Sequence, residues 1–436
     1  MTKRLDLLAS VGLLFAVVFS ALAFGAVEPW ATALLELIIA GVAALWVART
    51  IAAGRIELGL PAVALPIALL TVWAAIQGIN ISSTNGAPGS ISWDPDASRN
   101  AASTMVFMLV FFLLASTFFA GRQRIETAAR FLIIYGAVLA LFALIQSLTW
   151  NGAFYWLRPT ITHGFGPFAN RDHFAGYIEM MAPLPIALLI AGVAPRDLRL
   201  LLGFAGAIMG TAIVASLSRG GILSFVMGTL FTVVASGLRR ESRGRRILKF
   251  AVAGGILASV VVGTLWIGAA PIVNRAAETL KEASGAQPNY YSRRWLWSDT
   301  WALIRSTPLT GSGAGAFETS FPAFSHASGQ YIVAQSHNDY LQLLADCGVV
   351  GGLLGVIFLL LLYFAFRKAL AAGDPFLSAV ALGCSGGIFA LLVHSLFDFN
   401  LQIPSNALMF LFLIAIVCSI GRVGIVAAIH DRGAFG

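Results

Sequence analysis

Long apolar stretches separated by short polar segments follow one another along the whole chain. A helix needs about 20 mostly apolar residues to cross the hydrocarbon core of a bilayer. Stretches of this kind predict about twelve membrane-spanning helices, at 7–26, 31–51, 61–80, 101–120, 128–148, 173–194, 198–217, 221–238, 248–269, 349–366, 376–397 and 405–421. The pattern therefore predicts an all-α polytopic membrane protein.

Composition supports the membrane assignment. Of the residues, 58% are hydrophobic and only 11% are charged, whereas soluble domains carry about 25% charged residues. A soluble multidomain protein is thereby excluded. The net charge of +8 does not indicate nucleic-acid binding, because the basic residues form short clusters between apolar stretches. That distribution is typical of cytoplasmic loops under the positive-inside rule.

The basic clusters also predict an orientation. If the N-terminus is cytoplasmic and the spans alternate, every cytoplasmic connection contains basic residues, the largest cluster lying between Arg239 and Lys249. Both termini are then cytoplasmic, and the one long hydrophilic segment, roughly Pro271 to Cys347, lies on the non-cytoplasmic face. The basic residues left on that face are Arg99, Arg158, Arg171, Arg219, Arg275, Lys281, Arg293, Arg294 and Arg305.

This topology divides the chain into three parts. Residues 1–269 carry transmembrane helices 1–9, and residues 270–348 form a large, partly helical loop before the tenth span. Residues 349–436 carry helices 10–12 and a cytoplasmic C-terminus. We expect the loop to carry part of the active site.

The end of the long loop contains a candidate base. Ser336 and Asp339 are spaced like a capping box ahead of an apolar run, which predicts that His337 lies in the first turn of a helix at the outer membrane surface. A cation there opposes the helix dipole, so the position favours a neutral imidazole that can accept a proton. From spacing alone, a surface histidine beside a helix cap is the favoured interpretation.

Three arginines on the non-cytoplasmic face are candidate anion ligands. Arg219 lies in a very short turn between two apolar stretches, beside Gly220 and Gly221, where the backbone can approach a ligand closely. The alternative is an arginine that reaches lipid headgroups. Arg293 and Arg294 adjoin a dense group of Trp and Tyr residues; arginine binds phosphate oxygens in pairs, and the aromatic rings either stack on sugars or form an interfacial belt.

Two further polar groups lie near the outer ends of predicted spans. Residues 170–173 (Asn-Arg-Asp-His) open the sixth span and supply a helix cap, a cation and an imidazole, while His394 and Asp398 share one face of the eleventh. Either group could be a polar contact inside the bundle or part of a site. Acids and histidines outside the spans never cluster at metal-ligand spacing, so no metal is expected. The glycine-rich run at 308–317 has no preceding strand and predicts a tight re-entrant turn rather than a nucleotide-binding loop.

The order of these groups resembles the O-antigen ligase and polymerase family of bacterial inner-membrane proteins. The resemblance covers about residues 165–350 and the twelve-span architecture. It rests on Asn170-Arg171-Asp172-His173-Phe174-Ala175-Gly176-Tyr177, Ser218-Arg219-Gly220-Gly221, Arg293 with Trp297 and Asp299-Thr300, the run 308–317, and His337-Asn338-Asp339-Tyr340-Leu341-Gln342-Leu343-Leu344-Ala345-Asp346 with Gly348.

The resemblance implies a membrane glycosyltransferase that needs no metal or other cofactor. Such enzymes move a glycan from undecaprenyl diphosphate to an acceptor on the periplasmic side, with inversion. Arg219 and one of Arg293 or Arg294, preferably Arg293, correspond to the diphosphate-binding arginines, and His337 corresponds to the loop histidine. We expect His337, Arg219 and Arg293 to be catalytic, and a second group of residues to bind substrate: Arg294, Arg171, His173, Tyr340 and Asn338.

The acceptor distinguishes several possible activities. Ligases use the lipid A–core oligosaccharide, which is the acceptor we predict; polymerases use a second lipid-linked repeat, and some relatives glycosylate proteins. A secondary transporter is a further alternative, but the polar residues lie at one surface and in one asymmetric loop instead of at mid-membrane in repeated halves.

Overall fold

The structure of the protein is a computed structural model, which describes residues 1–80, 90–161, 164–237, 251, 254, 255, 258, 292–327, 329 and 331–433. Of the described residues, 75% are helical and almost none lie in a sheet. Its helices are α1 Thr2–Leu22, α2 Pro29–Ala53, α3 Ala64–Gln77, α4 Pro95–Phe118, α5 Arg122–Leu148, α6 Arg171–Glu179, α7 Pro183–Ile190, α8 Arg199–Ala215, α9 Arg219–Ser236, α10 Arg293–Ser306, α11 Phe317–Ser320, α12 Asp339–Leu370, α13 Pro375–His394 and α14 Pro404–Gly433. One short hairpin pairs β1 Ala153–Phe154 with β2 Arg158–Pro159.

The predicted fold class is confirmed. Among the described residues, ten helical segments are long and apolar enough to cross a membrane, with α6 and α7 together forming one of them. The predicted third span is the shorter apolar helix α3. The predicted ninth span, 248–269, lies almost entirely outside the described residues.

The helices run back and forth between two ends of the bundle. At one end, Asp6 pairs with Arg49 at 2.9 Å and with Arg124 at 2.8 Å, and Arg122 pairs with Asp374 at 2.6 Å. The opposite end, which we call the loop end, carries residues 23–28, 149–161, 164–170, 216–218, 292–327, 331–338 and 395–403. Backbone contacts join these segments, such as Asp339 N to Ser395 O at 2.9 Å.

The predicted sixth span is a broken helix. It is divided into α6 and α7 around residues 180–182, and Pro183 and Pro185 follow the break. Proline cannot donate a backbone hydrogen bond and crowds the preceding turn, which ends α6 there. The segment is almost entirely buried, so it runs through the centre of the bundle.

A second helix break lies where the loop packs against the membrane helices. Gly348 interrupts α12 with a φ of 60°, and the glycine-rich turn at 308–317 packs against this point. Ser312 N donates to Ala345 O at 2.8 Å, and Val349 N donates to Pro308 O at 2.8 Å. The amide of Gln77, from α3, donates to Thr310 O at 2.7 Å. The turn therefore holds α10 against the start of α12.

Candidate functional site

His337 lies just before α12 and not in its first turn, so that part of the sequence prediction was wrong. The helix cap is Asn338, whose side chain accepts from Tyr340 N and Leu341 N at 3.0 Å each. The Ser336 hydroxyl donates to Asn338 O at 2.8 Å and does not form a capping box with Asp339. His337 adopts a left-handed backbone with a φ of 52°, a conformation that costs about 1–3 kcal/mol and tends to occur at functional sites.

The imidazole of His337 is held by a buried carboxylate. Its Nδ1 lies 3.1 Å from Oδ1 of Asp398, whose side chain is 1% exposed, while the His337 side chain is 39% exposed. A carboxylate accepts a hydrogen bond, so the proton is assigned to Nδ1. Nε2 then carries the lone pair, and His337 has the arrangement of a general base oriented by an acid.

Asp398 is surrounded by imidazoles. Burial disfavours its charged form, but the hydrogen bond from His337 and the charges of the nearby histidines outweigh burial and lower the pKa of Asp398 to about 2. Its Oδ2 lies 3.9 Å from Nε2 of His173. The ring of Phe399 packs edge-on against both His173 and His337, at 4.8 and 4.7 Å between centroids. The lowered pKa means that Asp398 is ionised at neutral pH.

A second histidine–carboxylate pair lies deeper. Nδ1 of His394 is 3.0 Å from Oε1 of Glu179, and both side chains are buried, with 1% and 0% exposure. The sequence placed His394 and Asp398 on one helical face, but α13 ends at His394 and the two residues face different partners. Asp398 as the partner of His337, and Glu179, were not identified from the sequence. An acid inside an apolar span was the available signal for Glu179.

Arg219 is the first residue of α9 and is exposed at the loop end. Ser218 caps this helix by accepting from Gly221 N at 3.0 Å. The next residue, Gly220, lies against His394: an added Cβ would be 2.7 Å from its Nε2. The turn therefore places a cation and a helix N-terminus, both favourable for an anion, beside the buried Glu179–His394 pair.

Gly220→Ala is expected to disturb this junction. The new methyl group would collide with the His394 ring, and overpacking of this kind costs about 1–3 kcal/mol. Gly203→Ala in α8 is the matched control, because nothing lies within 4 Å of its Cβ position. Thermal unfolding in one detergent should show Gly220→Ala less stable than Gly203→Ala. Equal stabilities would contradict the close approach of His394 to α9.

The loop helix α10 contacts the segment just before His337. Trp297 donates its indole N–H to Ser336 O at 3.1 Å, one residue before His337. Arg293 and Arg294 are exposed on the first turn of α10. Arg293 is four residues before Trp297 and so lies on nearly the same helical face. Farther along, the buried Asp299 holds Nδ1 of His326 at 2.7 Å.

The other predicted binding residues have structural contacts. Asn338 donates to Leu396 O at 3.0 Å, and the Tyr340 hydroxyl donates to Leu392 O at 2.7 Å, so both hold α12 against the end of α13. Asn170 caps α6 as predicted, by accepting from Asp172 N at 2.8 Å, and Arg171 begins that helix. Substrate contacts by Arg171, His173, Arg294, Asn338 and Tyr340 stay predictions.

Comparison with known proteins gives one family match. The O-antigen ligase family model matches residues 204–356, which include Arg219, Arg293, Arg294 and His337. Glu179, His394 and Asp398 lie outside the matched range. No curated protein matches the chain. Within the described parts of the chain, no group of three or more His, Cys, Asp or Glu residues could hold a metal ion.

Proposed function

Since the chain is a member of the O-antigen ligase family, whose members are ligase- or polymerase-type glycosyltransferases, we propose that it transfers a glycan from undecaprenyl diphosphate to the lipid A–core oligosaccharide. The reaction takes place on the periplasmic face of the bacterial inner membrane, inverts the anomeric centre and needs no metal. Both termini are cytoplasmic, and residues 270–348 form the periplasmic loop.

The contact between His337 and Asp398 carries the proposal. A carboxylate that accepts the Nδ1 proton fixes the tautomer and orientation of the ring, and it stabilises the imidazolium formed when Nε2 takes a proton. The left-handed backbone and the bonds of Ser336 and Asn338 hold the ring in place. His337 is half-buried at the loop end, where a sugar hydroxyl can reach Nε2.

The reaction then proceeds by a single displacement. An acceptor hydroxyl attacks the anomeric carbon of the donor and gives its proton to Nε2 of His337. The bond between that carbon and the diphosphate oxygen breaks, and undecaprenyl diphosphate leaves with the electron pair. Because the diphosphate is already a good leaving group, no separate acid is required. General base assistance of this kind contributes about 10²–10⁴-fold.

Two arginines support the leaving group. Arg219 and Arg293 bind the diphosphate and offset the negative charge that grows on it in the transition state. Arg219 acts together with the N-terminus of α9. Arg293 is preferred to Arg294 because the face of α10 that it shares with Trp297 is held beside Ser336.

Asp398→Asn is expected to lower kcat by about 10²-fold or more with a folded protein, because the amide can donate to Nδ1 and favour the tautomer that lacks a lone pair on Nε2. Turnover of purified protein with donor and acceptor gives the measurement. Asp299→Asn, which alters the other loop-end aspartate–histidine contact, is the matched control and should retain most activity. Equal losses of activity in the two variants would contradict the assignment of Asp398 as the residue that orients His337.

A deletion strain tests the choice of acceptor. Loss of a ligase leaves uncapped lipid A–core while the lipid-linked glycan accumulates. Loss of a polymerase leaves single repeats attached to the core, and loss of a protein glycosyltransferase leaves the core fully substituted. Either of the last two results would overturn the proposed acceptor.

A further inference from the structure

An apolar cavity of about 540 Å³ lies between α3, α4, α12 and α14, separate from the face that carries Arg219. On α12 its lining residues run from Asp339 to Phe358, on both sides of the break at Gly348. Its volume is in the range typical of small-molecule sites. Its lining at the loop end includes Leu401 and Gln402, which belong to the same connection as Asp398.

The carboxyl groups in this cavity have no basic side chain to balance them among the lining residues that the structure describes. Asp339 and Asp346 line it, and the described lining residues include no arginine or lysine. A phosphate group placed here would approach two buried carboxyl groups without a counter-charge, which is costly in a medium of low dielectric constant. The cavity therefore suits an uncharged ligand.

One carboxyl oxygen in the cavity wall lacks a partner. Asp339 is 6% exposed; its Oδ2 accepts from the Ser395 hydroxyl at 2.7 Å and from Leu401 N at 3.1 Å. Its Oδ1 is buried and has no hydrogen-bond partner among the described residues. A buried polar atom left in this way costs about 1–3 kcal/mol. A rotation of the carboxyl group would turn this oxygen into the cavity, where a ligand hydroxyl would satisfy it in either protonation state, since a hydroxyl both donates and accepts.

We propose that this cavity binds a hydroxylated acyl chain of the acceptor lipid, with the hydroxyl on Oδ1 of Asp339. The inference rests on the proposed function and adds a separate binding site for each lipid. The donor diphosphate is bound on the α9 side by Arg219, and the acceptor chain enters between α12 and α14. The connection 395–403 lies between them, with Asp398 towards the histidines and Leu401 towards the cavity.

Direct binding can be measured with a neutral probe. The probe is a monoacylglycerol with a 3-hydroxymyristoyl chain and a photoreactive diazirine, added to the purified full-length protein in nanodiscs. Crosslinked peptides should come from the helices that form the cavity, α3, α4, α12 and α14. The same probe without the hydroxyl should bind about 3–10-fold more weakly, the value of one hydrogen bond. Farnesyl diphosphate, a short analogue of the donor, should not displace the probe.

Two variants and a control distinguish a loss of binding in the cavity from a general loss of folding. Ala407 of α14 lines the cavity, so Ala407→Phe should reduce labelling at least about tenfold, the effect of a steric penalty of about 1.4 kcal/mol or more. Asp339→Ala should abolish the preference for the hydroxylated chain. Ala40→Phe makes the matched change at an exposed position of α2 and should leave labelling unchanged. Thermal unfolding of each variant reports whether it is folded.

Labelling outside the four helices α3, α4, α12 and α14, displacement by farnesyl diphosphate, or a raised donor KM in folded Ala407→Phe would overturn the proposal. In the transfer reaction, this variant should raise the acceptor KM alone. If the probe labels the cavity as expected but no glycan is transferred, the proposed function fails and the binding site stands.

Discussion

Replacing His337 by alanine is expected to lower kcat for glycan transfer by about 10²–10⁴-fold, the usual contribution of a general base. The donor KM should change little, because the imidazole acts on the acceptor hydroxyl and not on the diphosphate. The measurement is turnover of the purified, folded variant with undecaprenyl diphosphate-linked glycan and lipid A–core. His337→Ala and Arg219→Ala are the two changes with the largest expected effects.

His326→Ala provides the control for His337→Ala. His326 lies in the same loop and also pairs with a buried aspartate, Asp299, at 2.7 Å, but its side chain is 61% exposed. It has no role in the proposed reaction and should retain most of the activity. Near-wild-type turnover in folded His337→Ala would rule out the base assignment.

Replacing Arg219 by alanine is expected to lower kcat/KM for the donor by about 10²–10³-fold, since one preorganised donor to a developing charge has this effect in other enzymes. Arg219→Lys should recover only part of the loss. Lysine restores the charge but not the planar pair of N–H groups that matches a phosphate. Steady-state kinetics at varied donor and fixed acceptor gives both numbers.

Arg305→Ala is the control for the change in net charge. Arg305 is exposed in the last turn of α10, at the same end of the bundle. Its removal should leave kcat/KM for the donor within about twofold, because charges exposed to water are largely screened at physiological salt. If Arg219→Ala instead raised the acceptor KM and spared the donor, Arg219 would not bind the diphosphate.

The fold class could be predicted from the sequence because a bilayer permits few structures. Apolar stretches of sufficient length must be helical to satisfy their backbone groups, and ten such helical segments are present in the described parts of the chain. The break between α6 and α7 was not predicted, although Pro183 and Pro185 mark it. The hydropathy stays high through these residues, so the hydropathy pattern alone does not indicate the interruption.

The site was only partly predictable. Local motifs indicated His337 and Arg219, since short-range spacing shows which residues adjoin a helix start. Asp398 lies 61 residues after His337 in the chain, and their contact depends on how α12 packs against the end of α13. For the same reason, the sequence paired Asp398 with its neighbour His394, which instead contacts Glu179 from α6.

The two histidine–carboxylate pairs occupy different environments. Asp398 and His337 meet at the loop end, where a substrate hydroxyl can approach. Glu179 and His394 are sealed inside the bundle, beneath the turn that carries Arg219. Buried ionisable pairs are rare within membranes and usually mark functional regions. We therefore expect the proposed base, His337, to depend on Asp398, and the proposed diphosphate ligand, Arg219, to depend on the Glu179–His394 pair.

The most direct test of the proposed reaction is transfer by the purified wild-type protein in nanodiscs, with undecaprenyl diphosphate-linked glycan and lipid A–core and with chelator present. Mass spectrometry of the lipid products should show one glycan added to lipid A–core for each undecaprenyl diphosphate released, and His337→Ala should slow the formation of this product by about 10²–10⁴-fold. Glycans that lengthen on undecaprenyl diphosphate while the lipid A–core stays unmodified would contradict the proposed ligase activity.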